Sequence, residues 1–250
     1  MTQGPDARFG RTELLVGAEG LRRLAEAHVA IFGLGGVGSY AVEAIARAGV
    51  GHIRLVDFDT LEPSNLNRQL FALESTLGRP KVDVARERIA DIHSKARVEA
   101  IRAFADAENL DELLAGMDYV IDAIDTVHAK VALLTAAHQR GLPVVSCMGA
   151  ANKLLPTDIR VADIRDTEYC PLARVIRQRL RKAGIETAIR CVYSTENRGI
   201  VEDTAENPEG LRKTRIQGSI AYVPGIIGLT AAGLVVSDML QAGAPPGRKK

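Results

Sequence analysis

Apolar positions along this chain follow two periods, and the periods alternate. Runs that are apolar almost throughout, His28–Phe32, His52–Asp57, Tyr119–Ile124 and Val144–Cys147, predict buried strands. Between them, apolar residues three and four apart predict helices over Val37–Ala48, Lys81–Ile92 and Val127–Arg140. In the second of these, Val82, Ala85, Ile89 and Ile92 share a face. Arg97–Ile101 reads as a short strand and Leu110–Leu114 as a short helix. A leading helix is expected over Thr12–Ala27, interrupted at Gly17 and Gly20, with Leu14, Leu15, Leu21 and Leu24 on its apolar side. Strand and helix alternate, so the expected class is α/β: a doubly wound, largely parallel sheet with an N-terminal helix and a C-terminal extension.

The texture changes after Asn152. Asp158–Asp163 alternates like a sheet strand, Pro171–Ala183 is a strongly basic helix, and Arg190–Ser194 is another strand. Asn197–Arg215 is polar and poor in large apolar residues, and reads as a mobile loop. Ile216–Ser237 runs 22 residues without a charge, long enough on paper to span a membrane. Pro224-Gly225 breaks it, predicting a short strand near Ser219–Val223 and a helix from about Gly225 to Gln241, buried in the core. The expected organisation is one domain over 1–250, with a core at about 28–147 and an extension at about 152–250.

Composition narrows the function classes. A net charge of +1 excludes a polyanion binder by bulk charge, so any nucleic-acid surface must be a local patch. The three cysteines, Cys147, Cys170 and Cys191, form no C-x-x-C pair, which argues against a disulfide scaffold and a four-cysteine zinc site. The leading residues MTQGPDARFG hold no apolar run, and a cytoplasmic protein is expected.

The chemistry concentrates between Ala30 and Lys81. The predicted strand His28–Phe32 runs into GLGGVGS, where Gly33, Gly35, Gly36 and Gly38 let the backbone approach a phosphate ahead of a helix N-terminus. That is a Rossmann-like dinucleotide fingerprint, weak alone. Asp57 ends the second strand, where it would accept hydrogen bonds from ribose hydroxyls. Asp59 follows, as a second acid or a loop cap. Asn65, Asn67, Arg68, Gln69 and Lys81 then supply amides, a guanidinium and an ammonium, the donors that phosphates need. An NAD site does not require them; a site holding a whole triphosphate and attacking its α-phosphate does. In VIDAID, Asp125 stands at a strand's carboxyl end, where it would ligate magnesium on the triphosphate or cap the next helix. Arg174, Arg177 and Arg181 share a face of the basic helix, with Leu172, Val175, Ile176 and Leu180 able to pack inward; this is the candidate RNA surface, joined by Arg212, Lys213, Arg215 and the tail Arg248-Lys249-Lys250. Cys191 reads as a small buried strand residue or a thiol relay.

From Arg8 to about Ser146 these residues resemble the ubiquitin-activating-type superfamily (the HesA, MoeB and ThiF proteins), whose bacterial members adenylate a carboxylate with ATP. The resemblance implies Gly36, Asn65, Arg68 and Lys81 at the phosphates, Asp57 at the ribose and Asp125 at Mg2+. It implies that Arg11, in RFGRTELLVG, reaches into a partner subunit's active site, hence a homodimer. The second half resembles the tRNA threonylcarbamoyladenosine dehydratase branch, in VIDAIDTVHAK, SCMGAANKLLPT, VADIRDT, PLARVIRQRLRKAGI, CVYSTE and GSIAYVPGIIGL. The chain departs from that branch at Leu155 and Cys170, where aspartate is usual, and at Ala151, where glycine is usual. The resemblance implies ATP-dependent cyclisation of a modified adenosine in tRNA. A sulfur-trafficking partner protein stays open. Three rivals are an activator of a ubiquitin-like sulfur carrier, a non-catalytic nucleotide-binding scaffold and an NAD oxidoreductase. They are disfavoured respectively by the missing cysteine pairs, by the intact Arg11, Arg68, Lys81 and Asp125, and by the Asn-x-Asn-Arg-Gln loop.

Overall fold

The computed structural model describes residues 6–186, 189–197 and 217–241. Its elements run α1 (Gly10–Glu26), β1 (His28–Phe32), α2 (Gly38–Ala48), β2 (His52–Val56), α3 (Lys81–Ile92), β3 (Arg97–Ile101), α4 (Leu110–Leu114), β4 (Tyr119–Asp122), α5 (Val127–Gln139), β5 (Val144–Cys147), β6 (Ile159–Asp163), α6 (Pro171–Lys182), β7 (Arg190–Ser194) and α7 (Tyr222–Gln241). The seven strands form one sheet in the order β3-β2-β1-β4-β5-β7-β6. Every neighbouring pair is parallel except β6 with β7. The extension therefore adds two strands to the same sheet. The predicted mobile loop Asn197–Arg215 lies, from 198 on, outside the described residues, as do Arg212, Lys213, Arg215 and the basic tail.

Strand alternation divides the core. Val29 and Ile31 point with Ile53, Leu55, Ile121 and Val145 toward α2, α3 and α7. Ala30 and Phe32 point with Val56 and Val120 toward α4 and α5. A third cluster, with Leu134, Met148, Ile176, Leu180 and Tyr193, lies under α6. The strand order reverses between β1 and β4, one leading to β2 and β3, the other to β5. A doubly wound sheet binds its ligands at the carboxyl ends of the strands flanking such a switch. The glycine loop follows β1 and the Asp125 loop follows β4, so the fold brings both to that crevice.

Three readings of the sequence need correction. No strand forms at Ser219–Val223; α7 already begins at Tyr222. Proline lacks a backbone N–H, but the N–H groups of a helix's first turn have no intrahelical acceptor, so Pro224 sits there without breaking it. Leu14 and Leu15 lie 90% and 86% exposed, with only Leu24 and Gly20 of α1 fully buried. Gly17, at φ 75°, kinks α1 and turns its first half away from the core. Val175 points to solvent on α6, where Ala173, Ile176 and Leu180 make the buried face.

The described residues contain one helix long and apolar enough to cross a membrane, α7. It packs along α2 instead. A Cβ on Gly228 would lie 2.2 Å from the Val37 carbonyl oxygen, and one on Gly225 would touch the Tyr40 ring at 3.4 Å. Its glycines thus permit close packing between helices.

Candidate active site

The glycines of the loop after β1 serve two ends. Gly33 has φ +83°, and a Cβ there would lie 2.7 Å from the Ala123 carbonyl oxygen; a Cβ on Gly38 would lie 1.7 Å from that of Gly33. These two let the loop fold tightly and close against the turn after β4. Around Gly35 there is open space: a Cβ added there would meet only the Gln69 amide nitrogen, at 3.8 Å. Gly36 is flanked by Arg68 and Pro224. The loop's open side thus faces the residues that the sequence assigned to phosphate.

Asp57 is buried and holds this loop in shape. One carboxylate oxygen accepts the Leu34 N–H at 2.6 Å and the other the Asp59 N–H at 2.8 Å. A carboxylate oxygen has more than one lone pair, so the group can also take ribose hydroxyls. Asp59 does not cap the loop with its carboxylate, which lies 2.7 Å from Nζ of the buried Lys81. Lys81 opens α3, and its charge is kept paired at the rim of the crevice.

The polar connection is a chain of short turns tied at both ends. The Asn65 side chain accepts the Glu62 N–H at 3.2 Å. Buried Ser39, in the first turn of α2, accepts the Leu70 N–H at 3.1 Å. Arg68 donates to the Ser64 carbonyl and to the Asn67 side chain at 2.8 and 3.0 Å. Asn67 in turn donates to the Ser219 carbonyl at 2.9 Å. Gln69 is buried, yet its Oε1 has no hydrogen-bond partner among the described residues. A buried acceptor left in that state is costly, and a water or a ligand hydroxyl donating to it would satisfy it.

Asp125 is exposed on the loop beyond β4, and among the described residues its carboxylate accepts a hydrogen bond only from Thr126 Oγ1, at 3.3 Å. It does not cap α5: the cap position belongs to Thr126, and no side chain bonds the helix there. A buried ion pair below fixes this loop. Lys130 and Asp122 both have no exposure and lie 2.9 Å apart. Lys130 Nζ also donates to the Ile124 carbonyl at 2.7 Å, while Asp122 accepts the Ile124 N–H at 3.1 Å and the Ser146 hydroxyl at 2.6 Å. Both backbone groups of Ile124 are thereby held, one residue before Asp125. The sequence offers both acids of VIDAID, Asp122 and Asp125, and favours Asp125; it does not single out Lys130 or Ser146. The available signal was a lysine inside the largely apolar VHAKVALLTAA.

The far wall comes from the extension. Asn152 exchanges hydrogen bonds with Gly218, its N–H reaching the carbonyl at 2.8 Å and its Oδ1 accepting at 3.0 Å. The Tyr222 hydroxyl donates to the Leu154 carbonyl at 2.9 Å. Buried Glu196 accepts the N–H groups of Leu154 and Leu155 at 2.7 and 2.8 Å, and buried Lys153 donates to the Glu196 carbonyl.

Other residues fall outside this crevice. Arg177 donates to the carbonyls of Ile164 and Thr167 and to Thr167 Oγ1, bracing the turn before α6, which leaves Arg174 and Arg181 as the exposed cations of the predicted face. Arg11 is exposed and makes no hydrogen bond or ion pair among the described residues. It follows Phe9, which packs on His93 and beside Gly49, the C-caps of α3 and α2. α2 starts at the glycine loop and ends at Gly49, so Arg11 stands about 16 Å along that helix from its own site. The thiols are buried; desolvation pushes Cys147 up to about 12 and raises Cys191 also. A thiolate relay at Cys191 has no support in this setting.

The site is thus that of a nucleotide-binding α/β protein, with a glycine loop, a strand-end acid and a ring of amides and cations at the switch point. A model of the ThiF family matches residues 9–248, and the chain belongs to that family. It is 43% identical over 241 residues to the tRNA threonylcarbamoyladenosine dehydratase of Bacillus subtilis, covering 94% of this chain and 95% of that protein. The crystal structure of the Escherichia coli tRNA N6-threonylcarbamoyladenosine dehydratase in complex with ATP superimposes with a TM-score of 0.86 at 34% identity, over 96% of each chain. The Escherichia coli molybdopterin-synthase adenylyltransferase is 36% identical over 165 residues, covering 65% of each.

Proposed function

We propose that this protein uses ATP to dehydrate threonylcarbamoyladenosine in tRNA, through adenylation of the threonine carboxylate. The extent of the likeness carries this reading. It covers 94% of the chain for the dehydratase, extension included, and 65% of it for the sulfur-carrier type of adenylyltransferase.

The residues fit a bound triphosphate. Gly35 and Gly36, the start of α2, Arg68 and Lys81 receive the phosphates, and Asp57 receives the ribose. The Gln69 amide nitrogen lies beside the same loop and can donate to a phosphate oxygen. Among the described residues no group of three acids, histidines or cysteines forms a protein-only metal site. Asp125 suits a magnesium ion whose remaining ligands are phosphate oxygens and water. Bound there, the ion would offset charge on the triphosphate.

A carboxylate oxygen of the substrate attacks the α-phosphorus as the α–β bridging bond breaks, and pyrophosphate leaves. Lys81 and Arg68 hold the charge that grows on the departing group. A heteroatom of the substrate's urea group then attacks the acyl carbon, AMP leaves, and a proton passes to water. The net change is loss of one water from the nucleoside. The nucleophile is internal, so its effective molarity is high and no cysteine is required.

Arg11 would complete the site in a second copy of the chain, with the exposed Leu14 and Leu15 beside it covered in the homodimer. Exposed Arg174 and Arg181 would meet the tRNA backbone, in the cytoplasm. The test is ATP turnover. AMP and pyrophosphate should appear in equal amounts only with modified tRNA present, and Asp125→Ala should abolish both. Turnover driven instead by a carrier protein's C-terminus would reject the reading.

A further inference from the structure

Among the described residues, Asn152 and Tyr169 are the non-glycine positions with φ in the left-handed region, at 57° and 55°. Asparagine tolerates that region, and Asn152 is held there by its exchange with Gly218. A bulky aromatic does not tolerate it, and such strain persists only where the surroundings impose it. They do so at Tyr169. Thr167 is buried, with its hydroxyl donating to the Ile164 carbonyl at 2.9 Å and Arg177 bonded to its carbonyl and Oγ1. Cys170 is buried and caps α6, its sulfur accepting the Ala173 N–H at 3.5 Å. With both flanks pinned inward, Tyr169 is turned out: it is 66% exposed, and its hydroxyl has no hydrogen bond among the described residues. Glycine would occupy this backbone without strain, so the local fold gives no reason for a tyrosine.

The position of the ring gives one. Leu172 packs at Gly149, just beyond the carboxyl end of β5, so α6 starts at the sheet edge that carries the glycine loop and Asp125. In the strand order, β5 lies across β4 from β1 and β2, so Tyr169 and Asp57 are on opposite sides of the crevice. The ring therefore belongs to the side away from the nucleotide's ribose. One turn into α6, Arg174 is exposed and its side chain makes no hydrogen bond or ion pair among the described residues. The helix PLARVIRQRLRK carries five cations and no acid.

We propose that Tyr169 is a stacking platform for an unpaired base of the RNA loop that presents the reacting nucleotide, with Arg174 on a neighbouring phosphate. Proteins read single-stranded RNA loops by stacking splayed bases on aromatic rings, with cations along the backbone. An outward tyrosine before a wholly basic helix supplies both. The inference rests on the tRNA reading above and deepens it by naming the residue that receives a base.

The chain contains no tryptophan, so Tyr169→Trp supplies a single fluorescent reporter. Titrating that variant with threonylcarbamoyladenosine-bearing tRNA should quench its emission saturably. Tyr169→Gly should melt no lower than the wild type, because it relieves the left-handed strain, yet bind tRNA about tenfold or more weakly. Its affinity for ATP should not change, and Tyr169→Phe should behave as wild type. Wild-type tRNA affinity in Tyr169→Gly, or unchanged tryptophan emission at saturating RNA, would overturn the platform while leaving the dehydratase reading intact. Failure of the wild-type protein to bind tRNA would remove both.

Discussion

Lys130 shows how much of this site rests on one side chain that never meets a ligand. It is fully buried, paired with Asp122, and bonded to the carbonyl before Asp125. Removing one partner of such a pair strands the other charge in the core. Lys130→Met should therefore lower stability by about 3–5 kcal/mol in denaturant unfolding; a loss below about 1 kcal/mol would mean that the pair is not closed in solution. At this scale the sequence was legible where chemistry follows chain position. Asp57 and Asp125 could be read as strand-end acids because the strands themselves were plain. Lys130 could not, since its partner emerges only when α5 folds back on β4. Asp59 was half legible: an acid was expected, but its pairing with Lys81 depends on how α3 meets β2.

The elements teach a different lesson. The alternation of periods located β3, β5, β7, α3 and α4 at their observed boundaries. It failed at α7, where Pro224 and the glycines were read as breakers. Proline was in the tolerated first turn, and the glycines make room for α2. It failed also on α1, since a leucine in a helix points to burial only if that part of the helix meets the core, and the Gly17 kink prevents this. On α6 the basic stripe was legible, but the bracing role of Arg177 was not, because its acceptors are backbone carbonyls. The same helix carries a testable weakness: its cap is Cys170, a weak acceptor. Cys170→Asp should place a carboxylate at the N-terminus and raise stability by about 1 kcal/mol, seen as a higher melting temperature. A fall would show that burial at this position outweighs capping.

At the scale of the whole molecule, the doubly wound plan was readable from the alternation of elements. The addition of β6 and β7 to the same sheet was not, because strand order is set by packing. The separation of Arg11 from its own glycine loop is the observation with most consequence for assembly. If two copies share composite sites, Arg11→Ala and Asp125→Ala should each be inactive, yet their mixture should regain about a quarter of wild-type turnover through mixed dimers. A mixture as inactive as its parts would show that Arg11 does not act in the partner's site.

The most direct measurement is mass spectrometry of nucleosides from threonylcarbamoyladenosine-bearing tRNA incubated with the protein, ATP and magnesium. The account predicts that this nucleoside loses the mass of one water, only with ATP present and not with Asp125→Ala. An unchanged nucleoside under conditions where the wild-type protein hydrolyses ATP would contradict it.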